Sequence, residues 1–465
     1  MPKKPNILFL GIDSLRRDRT SLYGYSKLTT PYMDKFFSKN SVVFNNMFSP
    51  SIPTTPGYAS MLSGMDCFST GVVALRHEGG YGNLVTLPMI LKDNGYNTTC
   101  VNYGGFPGFD NYLNYEVTWG SYAQGRSPKA ESLNKTALPE LERLAKEDKP
   151  FFLFLRHMDP HSPYLPPAPF ERLFYSGNEY DPDNHSLDPV YAFEPFRDYF
   201  YAWFPPACTS QEYICAQYDG AVAYMDACIQ QLFNKLDELG IADETVVVLT
   251  SDHGETLYDH DCYFDHHSIY DNVLGVPFAI KSPCLPEQTQ RIDQITQEKD
   301  IVPTLLSVLG IESVVKFDGK SMFDVISGKV PEENEFYITE ATWMRKHGWR
   351  TPEWKLMVAL EPDFHYKPPV ELYNLKSDPT EYHNLADELP DVVKKLRAKM
   401  EAHIAKREAE TGKTDPMYTN LNWAGHGKPF ESSDEAYHTL HIGSPDEAKK
   451  IQEIADKKKK EMENK

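Results

Sequence analysis

Three short apolar segments constrain the fold of this chain more than any other feature of its sequence. Residues 7–12, 151–155 and 245–250 are almost uninterrupted runs of Ile, Leu, Phe and Val, and such runs are typical of strands buried on both faces of a parallel sheet. Segments with apolar residues at helical spacing lie between them, for example residues 211–239. This alternation predicts an α/β fold in which a large, mostly parallel sheet is sandwiched by helices.

Polar side chains follow each of these predicted strands. Asp13 follows the first strand, His157 and His161 follow the second, and Asp252 and His253 follow the third. Because ligands bind beyond the carboxyl ends of the strands in such sheets, we expect these residues to converge. Two carboxylates and an imidazole suit Mn²⁺, Zn²⁺ or Fe²⁺ better than Ca²⁺, which prefers oxygen ligands. The sequence therefore predicts one divalent metal site at Asp13, Asp252 and His253, with manganese favoured over zinc, iron or calcium.

A reactive hydroxyl group is expected near the same site. Thr54 and Thr55 precede a Pro-Gly turn and an apparent helix that runs toward Gly64. A hydroxyl at a helix N-terminus can be oriented by the helix and deprotonated by a bound cation. A helix-capping threonine with no catalytic role explains the same residues. The chemistry of the sequence leaves both interpretations open.

The acidic composition excludes some classes of partner. The 465 residues include 47 Lys and Arg against 67 Asp and Glu, a formal net charge of −20. This balance argues against non-specific nucleic-acid binding and against docking on anionic membranes. No segment offers the roughly 18 uninterrupted apolar residues of a membrane-spanning helix. The seven cysteines are irregularly spaced, which indicates free thiols and a cytoplasmic protein rather than a disulfide framework.

Changes of composition along the chain predict two units. Residues 1–330 form the expected catalytic α/β domain, and its Pro- and Tyr-rich insertion at residues 165–210 is long enough to wall an active site. Residues 331–465 are expected to form a smaller α+β C-terminal subdomain and a helical tail. The tail carries Trp423 and His426, and we expect that it could join copies of the chain into a homo-oligomer.

Several motifs together resemble one known family. They are residues 6–18, 23–25, 158–164, 251–255, 270–277, 300–306, 318–321, 371–375 and 384–386. In this order they resemble the sulfatase-type branch of the alkaline phosphatase superfamily. The resemblance implies an alkaline phosphatase-like α/β fold and a metal-dependent ester hydrolase.

The active-site helix of this family usually begins with a Cys or Ser that becomes formylglycine and ends in Thr-Gly ten residues later. Counting back from Gly64 puts Thr54 at the nucleophile position and Tyr58 where an arginine is usual. Cys67 is not followed by the modification pattern, so the resemblance implies an enzyme without formylglycine. Threonine is the nucleophile in phosphorus-ester members of the superfamily. A threonine phosphoester can be hydrolysed by activated water, whereas a threonine sulfate ester lacks the aldehyde-forming exit of formylglycine.

The resemblance thus implies hydrolysis of a phosphodiester or phosphonate monoester through a phospho-threonine intermediate. The implied catalytic residues are Thr54, His161 and His266, and the implied substrate-binding residues are Tyr103, Tyr58, His157 and His267. His161 would protonate the leaving group, and His161 or His266 would activate water. Tyr103 and His266 replace lysines that are usual in the family, which favours a small, singly charged anionic ester.

Three alternative functions stay open at this point: a sulfatase that uses Thr54, a phosphotransferase of the same superfamily, and an inactive binding protein. The presence of all the implied metal ligands argues against the last of these. Residues 260–267 are rich in Asp and His, and they could hold a second metal ion.

Overall fold

The computed structural model describes residues 4–74, 84–117, 125–193, 203–285, 287–329, 334–342, 344–360, 363 and 365–419. The strands are β1 Asn6–Ile12, β2 Ser41–Phe48, β3 Ser51–Ile52, β4 Asn97–Val101, β5 Asn111–Leu113, β6 Phe151–His157, β7 Thr245–Ser251, β8 Gly275–Val276, β9 Phe278–Lys281, β10 Gln290–Gln297, β11 Phe336–Ala341, β12 Arg345–Arg350, β13 Trp354–Ala359 and β14 Val370–Asn374.

The α-helices are α1 Pro31–Phe37, α2 Thr54–Ser63, α3 Cys67–Thr70, α4 Leu87–Asp93, α5 Lys129–Leu144, α6 Asp188–Ala192, α7 Gln211–Glu238, α8 Asp271–Leu274, α9 Ile301–Val308, α10 Phe323–Ile326, α11 Pro390–Thr411 and α12 Pro416–Thr419. Short 3-10 turns cover Arg17–Arg19, Ser21–Tyr23, Phe170–Arg172, Ala242–Glu244, Asp259–Asp261 and Glu298–Asp300.

The large sheet has the strand order β10-β2-β9-β7-β1-β6-β4-β5, and β8 pairs with β2 outside this order. β1 lies between β6 and β7 and is parallel to both. β9 is antiparallel to β7 and to β2, so the sheet is mixed although most of its pairs are parallel. The predicted α/β fold with a large, mostly parallel sheet is confirmed.

Both faces of the large sheet are covered by helices. Along β1, Leu8 and Leu10 pack into one apolar core together with residues of α5 and α7. Phe9 packs into the core on the other face, together with residues of α2, α4 and α9. Successive side chains of a strand point to opposite faces, so uninterrupted apolar strands require a helical layer on each side. The central strands are apolar along their whole length because both of their faces are buried under helices.

A second, five-stranded sheet has the order β14-β13-β12-β11-β3. Its last strand is not part of the C-terminal sequence, because β3 comes directly before α2 and pairs in parallel with β11. The second sheet therefore holds the segment that leads into the predicted nucleophile. The division at residue 330 stays a prediction, and this pairing shows that the N-terminal segment crosses it.

Four further predictions concern the cysteines, membrane-spanning helices, the insertion and the C-terminal tail. All seven cysteines are free, as their irregular spacing predicts. No helix among the described residues is both long and apolar enough to cross a membrane. Within the insertion at residues 165–210, the described parts contain one 3-10 turn and α6. The predicted tail contacts of Trp423 and His426 lie outside the described residues.

Candidate metal and nucleophile site

The ends of the three central strands meet at one edge of the large sheet. The backbone N–H of Asp13 donates to the carbonyl of His157 at 2.9 Å, and the N–H of Asp252 donates to the carbonyl of Ile12 at 3.2 Å. These bonds extend the parallel ladders by one residue beyond β1, so the side chains that follow the strands lie next to one another.

Asp13, Asp252 and His253 form a buried cluster at this edge. Their potential ligand atoms all lie within 4.8 Å of one another, and none of the three side chains is exposed to solvent. The Nε2 atom of His253 is 4.0 Å from Asp13 Oδ1 and 3.6 Å from Asp252 Oδ2. His253 Nδ1 lies 2.8 Å from the carbonyl oxygen of Gly254, which requires the proton on Nδ1. The lone pair of Nε2 therefore faces the two carboxylates.

The electrostatics of this cluster fit a divalent cation. Burial, together with the charge of Asp13, raises the pKa of Asp252 well above its usual range. Burial also lowers the pKa of His253 to about 3. Asp252 Oδ2 is shut off from solvent and accepts no hydrogen bond among the described residues. A buried carboxylate oxygen without a partner is costly, and a cation that binds this O, O, N donor set would satisfy it.

Thr54 is brought into this cluster by helix α2. It is the first residue of the helix, after the capping position Pro53, and its Oγ1 atom lies 3.1 Å from His253 Nε2. The close approach depends on Gly57, since a Cβ atom there would lie 2.7 Å from the carbonyl oxygen of Asp252. The structure thus places the predicted nucleophile beside the predicted metal ligands.

Arg156 is a site residue that the sequence analysis did not single out. Its guanidinium donates to Asp13 Oδ2 from Nε at 3.1 Å and also from Nη2. The Arg156 side chain is 19% exposed, whereas that of Asp13 is fully buried. Burial alone would raise the pKa of Asp13, but Arg156 holds it well below its usual range. The site therefore contains a permanent cation that faces solvent on one side.

The guanidinium of Arg156 packs over the aromatic rings of Tyr58 and Tyr103. Arg156 lies 5.5 Å from the centre of the Tyr58 ring and 5.3 Å from that of Tyr103, and the two rings are 4.6 Å apart. Such contacts favour a cation over an aromatic face. The Tyr58 hydroxyl donates to the carbonyl of Gly11 at 3.3 Å. β6 thus supplies a guanidinium over the ring of Tyr58, the residue at which the resemblance leads one to expect an arginine.

The imidazole rings of His161 and His266 lie close to each other beside this site, with ring centres 5.5 Å apart. Burial lowers the pKa of His161 to about 4, although Asp13 opposes this shift. Burial would lower the pKa of His266 too, but the carboxylate of Asp265, 2.9 Å from its Nδ1, raises that pKa to about 10. At neutral pH, His161 is therefore neutral and His266 carries a proton.

His267 shares the carboxylate of Asp265. Its Nε2 atom lies 3.1 Å from Asp265 Oδ2, and the side chain is 1% exposed. Its ring also lies 4.8 Å from that of His365. His267 thus lies between Asp265, which also contacts His266, and His365, which precedes β14 of the second sheet.

The region predicted to hold a second metal ion contains a second group of potential ligands. Glu255, Asp265 and His266 offer ligand atoms within 4.8 Å of one another. Glu255 lies outside residues 260–267 and was not part of the prediction. Asp265 Oδ1 lies 2.9 Å from His266 Nδ1, so two members of this group also contact each other. The second metal ion stays a prediction.

His157 is the predicted site residue that does not join the others. On β6, Phe152 and Phe154 pack in the core beneath Tyr58, whereas Leu153 and Leu155 pack in the core on the opposite face. Alternation along the strand places Arg156 with the first pair and His157 with the second. Burial lowers the pKa of His157 to about 4, so a neutral imidazole lies within the core.

The chain is similar in sequence to known sulfatases. Residues 5–311 match the protein family described as Sulfatase, and residues 259–409 match the family described as N-sulphoglucosamine sulphohydrolase, C-terminal. The "Uncharacterized sulfatase YidJ" of Escherichia coli K12 is 23% identical over 430 residues, which cover 83% of this chain and 84% of that protein. Human iduronate 2-sulfatase is 24% identical over 380 residues, which cover 70% of this chain and 68% of that protein.

Solved structures resemble most of the chain. The phosphonate monoester hydrolase of Agrobacterium radiobacter superposes with a TM-score of 0.68 at 21% identity and covers 87% of this chain and 96% of that chain. The 2-O GAG sulfatase BT1596 superposes with a TM-score of 0.69 at 20% identity and covers 89% and 96%. At such identities the likeness establishes the fold, while function depends on the residues at the site.

Proposed function

The chain belongs to the sulfatase family of hydrolases, and we propose that within this family it is a metal-dependent hydrolase of phosphodiesters or phosphonate monoesters with Thr54 as its nucleophile. The observation that carries the proposal is the distance of 3.1 Å between Thr54 Oγ1 and His253 Nε2. It supports the proposal because an unmodified hydroxyl lies beside the candidate metal ligands, at the position that the resemblance assigns to formylglycine. A threonine at that point can form and release a phosphoester, but it has no internal route for the release of sulfate.

Asp13, Asp252 and His253 would hold the divalent ion, with Thr54 at its edge. When bound, the ion stabilises negative charge on the hydroxyl and on a non-bridging ester oxygen. The residues of the chain supply the remaining functions. Thr54 loses its hydroxyl proton to solvent, and its Oγ1 forms a bond to phosphorus as the bond to the leaving alkoxide breaks. Water later attacks the phosphorus of the phospho-threonine, and the released Thr54 oxygen takes up a proton again.

The protonation states favour His266 as the group that protonates the leaving alkoxide. His266 carries a proton at neutral pH because of Asp265, whereas His161 is neutral. A general acid must hold a proton before the reaction, and a general base must lack one. This assignment exchanges the roles that the resemblance implies, with His161 accepting a proton from the attacking water.

The charge of the site favours a singly charged ester. Arg156 is already paired with Asp13, which offsets part of the positive charge that its guanidinium offers to a substrate oxygen. A phosphodiester or a phosphonate monoester carries a single negative charge. We propose that Arg156 and the ion together bind this charge.

The experiment compares kcat/KM for an aryl phosphodiester, an aryl phosphonate monoester, an aryl phosphate monoester and an aryl sulfate that share one leaving group. The protein is loaded with Mn²⁺ before the assay. We expect the two singly charged phosphorus esters to be turned over at least tenfold faster than the monoester and the sulfate. A sulfate preference over both phosphorus esters would contradict the proposal.

Sulfate ester hydrolysis is the second candidate, because the relatives that match over most of the chain carry sulfatase names. It requires Thr54 to release sulfate by attack of water at sulfur. A rate for aryl sulfate that exceeds the phosphodiester rate and disappears in Thr54→Ala would support this candidate. The same comparison therefore separates the two functions.

A further inference from the structure

A buried lysine lies against the loop that carries His161. Lys129 is the first residue of α5, and its side chain is 1% exposed. A lysine is almost never fully buried unless its charge is paired. Two other lysines in the described part of the chain are buried to the same degree, Lys346 and Lys355, and both pair with carboxylates. The partners of Lys129 should therefore show what its buried charge is for.

The ammonium group of Lys129 contacts this loop at three points. Its Nζ atom donates to the carbonyl of His161 at 2.6 Å and to the carbonyl of Pro163 at 3.3 Å. It also lies 3.5 Å from Oδ1 of Asp159, whose side chain is 2% exposed. An ammonium group has three N–H donors, so the three contacts to one loop can use all of them.

Asp159 attaches the same loop to the start of α5. Its Oδ2 accepts a hydrogen bond from the backbone N–H of Ala130 at 2.8 Å, while its Oδ1 faces Lys129. The first N–H groups of a helix have no acceptor within the helix, and a carboxylate is favoured at this positive end of the helix dipole. The Lys129–Asp159 pair therefore connects the loop and the helix from both sides.

The loop needs such support because its sequence limits regular backbone pairing. β6 ends at His157, and Pro160 and Pro163 have no backbone N–H group to donate. The carbonyls of His161 and Pro163 lie beyond the strand, and Lys129 supplies a donor to each. A side chain from α5 thus takes the place of a neighbouring strand.

The orientation of the His161 ring depends on the same loop. Its Nδ1 atom lies 2.6 Å from the carbonyl oxygen of Ser162, which requires the proton on Nδ1. The lone pair is then on Nε2, as a group that accepts a proton from water needs. Ser162 lies between the two residues whose carbonyls bind Lys129. Contacts that fix those carbonyls therefore fix the Ser162 carbonyl and, through it, the ring and tautomer of His161.

We propose that Lys129 is a positioning residue, which holds Nε2 of His161 where it can accept a proton from the water that attacks the phospho-threonine. This inference rests on the proposed function. In that step the water oxygen forms a bond to phosphorus, the bond between phosphorus and Thr54 Oγ1 breaks, and a water proton passes to His161 Nε2. The released Thr54 oxygen takes up a proton from solvent. Lys129 itself neither gains nor loses a proton.

The step at which His161 acts gives the proposal a kinetic signature. The ratio kcat/KM reports the events up to the release of the leaving group, whereas kcat also includes the later hydrolysis of the phospho-threonine. A misplaced His161 slows only the hydrolysis, so kcat and KM should fall together while kcat/KM stays the same. A general loss of active structure would lower kcat/KM as well.

The experiment uses the Mn²⁺-loaded full chain and an aryl phosphodiester with a good leaving group, for the wild type, Lys129→Met, Lys129→Arg and His161→Gln. We expect Lys129→Met and His161→Gln to lose at least about 30-fold in kcat, with a similar fall in KM and kcat/KM within about threefold of the wild type. Acid quenching during turnover should trap the phosphoester on Thr54 in both variants, detected by mass spectrometry. Lys129→Arg keeps the charge and the donors, so its kcat should lie between those of Lys129→Met and the wild type.

Two further variants control for stability. The double variant Lys129→Met with Asp159→Asn leaves no unpaired buried charge but still removes the donor from the two carbonyls, so it should show the same kinetic pattern even if Lys129→Met does not fold. Lys346→Met removes a lysine that is also 1% exposed and that pairs with Asp363 at 2.6 Å. It should lower the free energy of unfolding and leave kcat and KM at wild-type values.

The His161→Gln variant separates failure of this inference from failure of the proposed function. If His161→Gln accumulates the threonine phosphoester but the Lys129 variants keep the wild-type kcat, or lose kcat and kcat/KM equally, the role of Lys129 is overturned and the proposed function stands. If no variant accumulates the phosphoester on Thr54, the proposed function is wrong, and the role of Lys129 is overturned with it.

Discussion

At the scale of single residues, Arg156 explains how the site keeps a cation although Tyr58 replaces the usual arginine. Its guanidinium binds one oxygen of Asp13, while the other oxygen of Asp13 lies 4.0 Å from His253 Nε2. One carboxylate thus connects the candidate metal position with the candidate substrate position. A change at Arg156 should affect substrate binding more than metal binding.

We predict that Arg156→Gln raises KM for a singly charged phosphorus ester by about 10- to 100-fold, as expected for loss of a charge-assisted hydrogen bond. Arg156→Lys should lie between this variant and the wild type, because it keeps the charge and loses the planar fork. Affinity for Mn²⁺, measured by calorimetry, should not weaken, since Arg156 competes for Asp13. Equal losses in metal affinity and in activity would show that Arg156 only maintains the structure.

His157 gives a prediction about pH. The folded chain keeps this buried imidazole neutral down to about pH 4, whereas an unfolded histidine takes up a proton below about pH 6.5. Stability that His157 contributes is therefore present above pH 6.5 and is lost as the pH falls toward 4. The free energy of unfolding of the wild type, minus that of His157→Gln, should fall by roughly 1.4 kcal/mol per pH unit in this window. A difference that does not change with pH would mean that His157 is protonated or exposed.

Part of the site could be predicted from single residues. Asp13, Asp252 and His253 directly follow recognisable strands, and parallel strands bring their carboxyl ends together whatever the loops do. Arg156 could not be singled out from the sequence, because it lies inside a strand, where a charged residue has no recognisable motif around it. Asp265 was missed as a partner of His266 because the loop between Glu255 and Tyr270 has no periodic pattern that fixes its path.

At the scale of elements, the contact between α2 and the loop after β7 sets the position of Thr54. The helix approaches this loop closely because Gly57 has no side chain, and a Cβ atom there would lie 2.7 Å from the carbonyl oxygen of Asp252. That distance is shorter than real Cβ contacts, so a larger residue would displace the helix or the loop.

We predict that Gly57→Ala lowers kcat by about 100-fold, since a displacement of about 1 Å can have this effect on a positioned nucleophile. Metal affinity should fall as well, because Asp252 belongs to the displaced loop. Gly104→Ala serves as the control, as a Cβ atom there meets nothing within 4 Å. Wild-type activity in Gly57→Ala would show that the position of α2 is not decisive.

Elements with strong periodicity were predictable, and elements fixed by distant contacts were not. The helix predicted at residues 211–239 is observed as α7, Gln211–Glu238, because its apolar spacing and the following glycine are local signals. β9 has only four residues, and its antiparallel direction depends on pairing with β2 and β7. β3 has two residues and exists because β11 lies beside it.

At the scale of the whole molecule, the two sheets are joined in three ways. β3 belongs to the second sheet and leads into α2. Asp271, which follows β7, forms ion pairs with Arg350 and Lys355 of the second sheet. Glu381 accepts a hydrogen bond from the backbone of Asp271 at 2.6 Å. Removal of one partner from a buried ion pair of this kind strongly destabilises a protein, because the other charge stays buried and unpaired.

We predict that the two sheets unfold in one cooperative transition. Chemical unfolding followed by far-UV circular dichroism and by tryptophan fluorescence should give coincident curves. Of the described tryptophans, Trp349 and Trp354 belong to the second sheet, and Trp203 packs in a core of the large sheet. Lys355→Met leaves Asp271 and Glu381 without this partner. In this variant the free energy of unfolding should fall by about 3 kcal/mol, and by the same amount in both curves. Two separate transitions would show that the units fold independently.

The net charge of −20 gains a more specific meaning from the structure. An acidic molecule repels anionic substrates at long range, so positive charge must be concentrated where the substrate binds. Arg156, protonated His266 and the candidate metal position provide this concentration within one opening. Such a small positive region suits a singly charged ester better than a polyanion.

The central claim is that Thr54 is the nucleophile of a phosphorus-ester hydrolase. The most direct measurement compares turnover of an aryl phosphodiester by the Mn²⁺-loaded wild type, Thr54→Ser and Thr54→Ala. We predict that Thr54→Ala loses at least about 10³-fold in kcat while it keeps its fold and its metal, and that Thr54→Ser keeps activity within about 100-fold of the wild type. Turnover by Thr54→Ala within tenfold of the wild type would contradict the account.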